Sequence, residues 1–424
     1  MKIEPYQAYK DSGVEWLGVI PEHWETLAVK RVAKAGYKKF VDGDWIESPY
    51  ITDKGIRLIQ TGNVGIGIYK EKGWRYISEK TFNDLNCTEI FPDDILICRL
   101  DGPVGRACLV PDLQVRMITS VDNAILKPSE DFDSQFIVYV MSSSVWLEWI
   151  QTLCRVGGGF RFRISRSMLG ELIIQKPPFF EQKTIAHYLD TKTAQIDRKI
   201  NLLTQKATLY SNLKQSLINE TVTRGLDKTA PMKNSGIDAI GEVPTHWTIS
   251  RIKNLGILSR GVDLPREDFV EGIFPVYGSN GIIGYHSNYT TKAPCLTVGR
   301  SGSVGEINYV SEDFWAHNTA LYLQQSFNSS IKFIFYLFKS LNLQSFSAGS
   351  AVGTLNRNII HQLKIAIPPA SEQKAIADYL DTKTAQIDQI IQTINTQIER
   401  LKELRKTLIN DVVTGKIKVV ENEH

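Results

Sequence analysis

Hydrophobic positions recur every seven residues along two long stretches of the chain. Leu189, Ile196, Leu203, Tyr210 and Leu217 form one series, and Leu380, Ile387, Ile394, Leu401 and Leu408 form the other. Half-heptad partners fall at Ile200 and Ala207, and at Ile391 and Ile398. A sustained seven-residue apolar repeat is the seam of a coiled coil. Neither stretch contains Gly or Pro between its opening Pro-Pro (177–178, 368–369) and its closing Gly225 or Gly415, the expected start and stop signals of a helix. At about 1.5 Å per residue, some 40 residues make a rod of roughly 60 Å. A lone helix would leave its apolar seam in water. Two seams in one chain therefore predict two helices packed on each other, the alternative being two amphipathic helices that each lie on their own domain.

The two stretches are copies. DTKTAQID occurs at 190–197 and again at 381–388, inside a longer duplication that runs from Pro-Pro through Glu-Gln-Lys to Leu-Ile-Asn at a constant offset of 191 residues. A second duplication lies upstream: KDSGVEWLGVIPEHW (10–24) matches KNSGIDAIGEVPTHW (233–247) at an offset of 223. The chain thus reads as opening motif, variable region and long helix, twice over, which sets the architecture. The offsets differ by 32, so the first variable region is longer by that amount. Between the repeats only faint echoes remain: Gly102-Pro103-Val104-Gly105 against Gly302-Ser303-Val304-Gly305, and Asp122-Asn123-Ala124 against Asn318-Thr319-Ala320.

Both variable regions predict mixed α and β structure. Residues 56–69 and 95–110 are β-rich with frequent Gly, which suggests short strands and tight turns. Residues 136–153 and 331–346 have the pattern of amphipathic helices, and strand-like runs at 172–174 and 363–365 close each region just before its Pro-Pro. The polar segment 227–235, with Pro231, is read as the linker between halves. The expected division is residues 1–176, the long helix 177–226, residues 227–367, and the second long helix 368–424.

Composition narrows the class. A hydrophobic content of 42%, a charged content of 22% and a net charge of +3 are those of an ordinary soluble protein, without a polybasic tail. No apolar run of 18 residues occurs, so no membrane span is expected. The N-terminal stretch has no apolar core and does not read as a signal peptide. The five cysteines are far apart, with no CxxC, and support neither a zinc site nor a disulfide framework; a reducing cytoplasm fits best.

No catalytic constellation and no metal-ligand spacing stands out. Lys176-Pro177-Pro178-Phe179 shares its last three residues with the Asn/Asp-Pro-Pro-Tyr/Phe motif of amino-methyltransferases. It lacks the carbonyl-bearing first residue, as does Ile367-Pro368-Pro369-Ala370, so both read as helix starts. GRSGSVG (299–305) lacks the Gly-Lys-Ser/Thr of a phosphate-binding loop and reads as a turn. His23 and His246, each beside a Trp, are assigned to packing or hydrogen bonding.

Two stretches in each half suggest nucleic acid. Residues 151–170 carry Arg155, Arg161, Arg163 and Arg166, three consecutive glycines (157–159) and no acidic residue. Guanidinium forks on a glycine-loosened loop suit phosphate contacts and bidentate reading of guanine; the bland reading is a solvated loop with a few salt bridges. The matching stretch, 345–361, is also acid-free and offers Asn356 and Arg357. A second pair of candidate surfaces is Gln60, Thr61 and Asn63, set loosely against Tyr277, Ser279 and Asn280; these are equally readable as ordinary turns.

Taken together, the Gly-x-Ile/Val-Pro-x-His-Trp opening (18–24, 241–247), the Pro-Pro-x-x-Glu-Gln helix start, the Leu-Asp-x-Lys-Thr-x-x-Ile-Asp heptads and the Leu-Ile-Asn…Val-Thr ending occur twice and in order. In these the chain resembles the specificity (S) subunit of a type I restriction-modification system, over essentially its full length. The resemblance implies an α+β protein: two mixed α/β target recognition domains joined by two long helices that pair as an antiparallel coiled coil. It implies no catalysis and no cofactor on this chain. Each domain would read one half of a bipartite, asymmetric site in double-stranded DNA, with the helices setting the gap. Two modification (methyltransferase) subunits would bring S-adenosylmethionine, and restriction subunits would use ATP and Mg. Two other classes stay open at this point: a fused nuclease or methyltransferase, and a coiled-coil adaptor that binds proteins only.

Overall fold

The computed structural model describes residues 2–34, 39–157, 161–347 and 353–420. The chain forms two compact units. One comprises the residues up to Leu202 together with those from Gln397 onward; the other is Leu203–Thr396. Each unit holds one mixed α/β region, one end of the first long helix (Phe179–Arg224) and one end of the second (Ala370–Val413).

The two α/β regions share one topology despite their divergent sequences. In the first unit a four-stranded sheet runs in the order Ala107–Leu109, Ile95–Cys98, Asn123–Leu126, Phe40–Asp42; in the second the order is Ile307–Val310, Cys295–Gly299, Ala320–Ser326, Gly256–Arg260. The central strands ILIC (Ile95–Cys98) and CLTVG (Cys295–Gly299) are buried along their whole length, as befits strands covered on both faces. Beside this sheet lies a second, built around a parallel pair: Ile56–Ile59 with Met117–Thr119, and Phe274–Gly278 with Trp315–Ala316. The second sheet has five strands in the first unit and three in the second, and only the first unit adds the short helix Glu79–Asp84 there. Much of the extra length of the first region is spent on this sheet.

Local chemistry departs from expectation at one helix. The amphipathic pattern at 136–153 is not one helix but two, Ser134–Ser142 and Ser144–Leu153, broken at Ser143. Ser143 takes extended φ/ψ, and its hydroxyl accepts a hydrogen bond from Trp146 N, capping the second helix. The counterpart in the other region ends at Ser340 (Ile331–Ser340) and continues as a 3-10 turn, Leu343–Ser347.

Each region is closed by pairing its last strand with its first. Ile173–Lys176 pairs antiparallel with Glu25–Ala28, and Lys364–Ile367 with Thr248–Arg251. The Pro-Pro then starts the long helix, and the repeated side chains hold that start to the region. Gln182 accepts from Asp133 N (3.0 Å) and donates to the Pro177 carbonyl (2.9 Å); Gln373 accepts from Ser330 N (3.1 Å) and donates to the Pro368 carbonyl (3.0 Å). Further along the helix, Tyr139 donates to Asp190 at 2.7 Å and lies 3.3 Å from the Thr193 hydroxyl. Tyr336 likewise donates to Asp381 at 2.7 Å and lies 3.1 Å from Thr384. Burial, with the adjoining carboxylate adding, pushes both phenols above their ordinary range, so each remains a donor.

The long helices pack together antiparallel within each unit. In the first, Arg405 Nε lies 2.9 Å from Asp197; in the second, Lys214 Nζ lies 2.6 Å from Asp388. The seam residues are buried or half-buried in both helices, Leu189, Leu380, Ile387 and Ile394 most completely, while most positions between them in the middle of each helix face water. Gly225 and Gly415 end the helices at φ +75°, a left-handed conformation that Gly adopts without strain. A Cβ on Gly415 would also lie 2.3 Å from Pro21, and one on Gly225 would lie 2.7 Å from the Glu372 carboxylate. In the first unit, strand Lys2–Glu4 pairs antiparallel with Lys418–Val420, tying the two ends of the chain together.

Candidate nucleic-acid interface

In the first region the arginine stretch forms an antiparallel hairpin, Arg155–Gly157 with Arg161–Arg163, in the register Arg155↔Arg163 and Gly157↔Arg161. Gly158 and Gly159 lie outside the described residues, and so do the side chains of Arg155 and Arg161. Arg163 is half exposed and holds one carboxylate, Asp122, at 3.1 Å. Arg166 opens the short helix Arg166–Glu171. It reaches back to Asp42 (3.4 Å) and the Phe40 carbonyl (3.1 Å), with its guanidinium over the Phe40 ring.

Beneath them lies Arg99, which the sequence pattern did not single out. It is almost fully buried and donates to the carbonyls of Ile164 (3.1 Å) and Val121 (2.7 Å). It also lies 2.7 Å from Asp42 Oδ1, a close ion pair without the alignment of a hydrogen bond. Burial pulls its pKa below the usual guanidinium value, and Asp42 opposes that shift. Arg99 therefore fixes the hairpin's exit to the 120–122 loop. Two other buried arginines brace the neighbouring backbone in the same way: Arg106 donates to the carbonyls of Thr61 (3.0 Å) and Val64 (2.7 Å), and Arg57 to those of Gly73, Arg75 and Lys72.

The second predicted patch abuts the first. Gln60, Thr61 and Asn63 line an open groove with Trp45, Val121 and Asp122, and Val121 also lines the neighbouring groove of Arg163 and Arg166. The 120–122 loop thus joins the two patches. Asn63 is 3% exposed and its amide is committed: Oδ1 accepts from Gln60 N, while Nδ2 donates to the carbonyls of Lys70 and Lys72. It holds the turn on which Gln60 and Thr61 sit. Trp45, 69% exposed, stands at the groove's edge.

The second region repeats this arrangement with other side chains. Backbone bonds set the correspondence. Arg99 N donates to Asp122 O and Arg300 N to Thr319 O, both at 2.8 Å; Ile164 N donates to Arg99 O and Leu355 N to Arg300 O. Ser165 and Asn356 then cap equivalent helices, and Arg166 and Arg357 open them. Ser120 N donates to Ile59 O and His317 N to Tyr277 O. Ile59, not Gln60, is therefore the counterpart of Tyr277, and the loose alignment read from the sequence shifts by one residue. Tyr277 is half-buried edge-on against Phe314, whereas Ser279 is half-exposed and Asn280 exposed. Gly299 lies under them: a Cβ there would sit 2.5 Å from Ser279 O and 2.0 Å from Ser303 O. The glycine-rich run is thus a close-packed turn beside the predicted patch. Residues 348–352 of the acid-free stretch 345–361 lie outside the described residues.

Among the described residues no three His, Cys, Asp or Glu side chains are placed to hold a metal ion, and no helix is long and apolar enough to cross a membrane. Burial pushes the thiols of Cys108 and Cys295 up to about 12 and about 11, where they carry no nucleophilic thiolate near neutral pH.

Two unlike faces on one repeated frame define a protein of duplicated recognition regions, and comparison gives those regions their class. Residues 244–400 match the family model described as type I restriction modification DNA specificity domain. The putative type I restriction enzyme MjaX specificity subunit of Methanocaldococcus jannaschii is 20% identical over 443 residues, covering 97% of this chain and 98% of the relative. The StySPI specificity subunit of Salmonella potsdam is 22% identical, covering 94% and 90%, and the EcoprrI specificity subunit of Escherichia coli is 24% identical, covering 71% and 75%. A chain solved in a study of complex assembly and conformational transition of the type I R-M system superposes with a TM-score of 0.74 at 14% identity, over 94% of this chain and 99% of that one. The HsdS subunit from Thermoanaerobacter tengcongensis gives 0.54 at 15% identity, over 94% and 98%. Over residues 244–400 the chain thus carries a type I restriction modification DNA specificity domain, and over nearly its whole length it is similar to type I specificity subunits.

Proposed function

We propose that each α/β region reads one half of a bipartite, asymmetric site in double-stranded DNA, and that the paired helices set the gap between the halves. In the first region Gln60, Thr61, Arg155, Arg161, Arg163 and Arg166 face the DNA, with Asn63 holding the turn. In the second, Tyr277, Ser279, Asn280, Asn356 and Arg357 do so. The observation that carries this reading is the 120–122 loop, which brings two patches far apart in sequence onto adjoining grooves. Their donors are of the kind that contact phosphates and base edges.

Two modification subunits dock on the helices and regions and supply S-adenosylmethionine for adenine methylation. Restriction subunits join them with ATP and Mg. The assembly works in the cytoplasm, where its DNA is. The proposed domains are residues 1–176 and 227–367, with helices 177–226 and 368–424. The direct test is to co-express the chain with its modification subunits and map methylated adenines. A single split motif with two independent halves is expected; methylation absent or indifferent to sequence would overturn the reading. Gel shifts over a salt series add a second test, since phosphate contacts give a steep salt slope.

A further inference from the structure

Equivalent places in the two regions differ in charge balance. In the first, Arg99, Arg163 and Arg166 face two carboxylates, Asp42 and Asp122, and each arginine has an acid within 3.4 Å. The backbone correspondence extends to these acids. Gly43 N donates to Asn123 O and Gly261 N to Ala320 O, and a Cβ on Gly43 would strike the Ser120 carbonyl at 2.3 Å as one on Gly261 would strike that of His317 at 2.2 Å. Asp42, just before Gly43, is therefore replaced by Arg260, and Asp122 by Thr319, one residue beyond the Asn318 that the sequence echo sets against it. Arg99 and Arg166 correspond to Arg300 and Arg357.

The corresponding place in the second region thus carries Arg260, Arg300 and Arg357, and none of them forms an ion pair among the described residues. Among the described residues, the side chain of Arg357 donates to the Ser259 hydroxyl (3.4 Å) and that of Arg300 to the Asn318 carbonyl (3.5 Å). Asp263 accepts from the Asn318 amide and pairs with none of the three. Arg260 and Arg357 are exposed, and Arg300 is half-buried. Burial, and then the neighbouring Arg260 charge, lowers the pKa of Arg300. Like charges held together on a fixed frame raise the free energy of the unbound protein, and an anion seated among them relieves it.

We infer that Arg260, Arg300 and Arg357 form a clamp for DNA phosphodiester groups in the second region, and that the equivalent place in the first region grips the backbone less, because Asp42 and Asp122 offset two of its three arginine charges. This rests on the reading that both regions bind DNA. The ionic part of the affinity would then be lopsided: the second region grips the backbone, while the first relies more on shorter-range contacts to bases.

The test uses the full chain and a duplex carrying its site, with binding measured from about 0.05 to 0.3 M salt. Each phosphate contact contributes about 0.9 to the slope of log K against log salt. Arg260→Ser and Arg357→Ser, both at exposed positions, should each flatten the slope by about one, equally on matched and scrambled second half-sites. Arg260→Asp should flatten it by about two, because the new carboxylate pairs with Arg300 as Asp42 pairs with Arg99. A wild-type slope in all three variants, with site-selective binding retained, would overturn the clamp and leave the DNA-reading assignment standing. An unchanged slope with selectivity abolished at one base position would also overturn it, by making these arginines base readers. If the wild-type chain binds no DNA, the assignment itself fails and the clamp with it.

Discussion

His23 Nε2 lies 2.7 Å from the Glu181 carboxylate, and His246 Nε2 lies 2.8 Å from that of Glu372. The opening motifs and the helix starts recur at different offsets, yet the same pair forms in both. Each carboxylate also accepts the indole N–H of the adjacent Trp, Trp24 at 2.8 Å and Trp247 at 3.1 Å, and Glu181 takes a further bond from Tyr6 at 3.2 Å. These bonds join the segment that precedes each region to the helix that follows it. That is the physical content of the His-Trp and Glu-Gln repeats, and it bears out a hydrogen-bonding role for both histidines.

This junction should be measurable in stability. Trp24 and Trp247 are fully buried, so Glu→Ala leaves an indole donor without a partner. A buried donor left bare costs about 1–3 kcal/mol. Glu181→Ala should therefore lower the unfolding free energy by at least that much, and by more than Glu372→Ala, because Tyr6 also forfeits its acceptor. Glu181→Gln, which keeps an acceptor, should cost less than either. Urea or thermal unfolding of the three variants checks the order.

The helix pair should depend on its apolar seam far more than on its ion pairs. Ile394 is 4% exposed, and Ile→Ala at such a site costs about 2–5 kcal/mol. The Lys214–Asp388 pair is 31% and 55% exposed, in the range where pairs contribute about 1 kcal/mol or less. Ile394→Ala should shift the unfolding midpoint strongly. Asp388→Ala should shift it slightly, and less still at about 0.5 M salt, where such pairs are screened.

One histidine gives the second unit a pH dependence. His361 Nε2 accepts from Leu258 N at 2.9 Å, so it must be unprotonated there. Burial first, then the charges of Arg357 and Lys253, hold its pKa below the ordinary 6.5. Its folded-state pKa being depressed, the unfolded chain takes up the proton first as pH falls. Stability is unaffected above about 6.5 and declines below it, down to the folded-state value. His361→Gln should remove that part of the slope between about pH 7 and 5 in denaturant titrations.

Arg161 and Arg163 test the interface of the first region. Among the described residues Arg163 pairs with one carboxylate, the partly buried Asp122, which it must release before meeting DNA. Changing both to Ala should weaken binding by roughly 1–3 kcal/mol for each guanine they read, and should blunt discrimination only at the half-site read by the first region. Binding curves on duplexes altered in one half-site at a time measure this. Undiminished affinity at near-physiological salt would remove these residues from the interface.

Exchange of a whole region tests modularity. Replacing 26–176 with the equivalent stretch of another specificity subunit carries nearly all of the closing strand pair, Glu25–Ala28 with Ile173–Lys176, from one parent. The chimera should fold and methylate a site changed in one half only. A boundary that splits this pair between parents should give a less stable protein. Methylation mapping and thermal unfolding read the two effects.

The sequence by itself determined the twofold plan and the long helices. Heptad periodicity, Pro-Pro starts and Gly stops are local signals, and a repeat is visible without knowing what its residues touch. It could not say why DTKTAQID recurs. Asp190 and Asp381 meet tyrosines some 50 residues away, and Asp197 and Asp388 meet cations on the other long helix. Nor could it show that Arg99 and Arg300 stand at one place, or that an aspartate in one region corresponds to an arginine in the other. Those facts depend on register between strands distant in sequence, where side-chain identity has diverged and only backbone hydrogen bonds keep the correspondence. Charge balance at these places was therefore decided by tertiary structure: the acids that pair with the first arginine cluster lie outside the acid-free run, Asp42 on a strand and Asp122 in the 120–122 loop, and only folding brings them beside it.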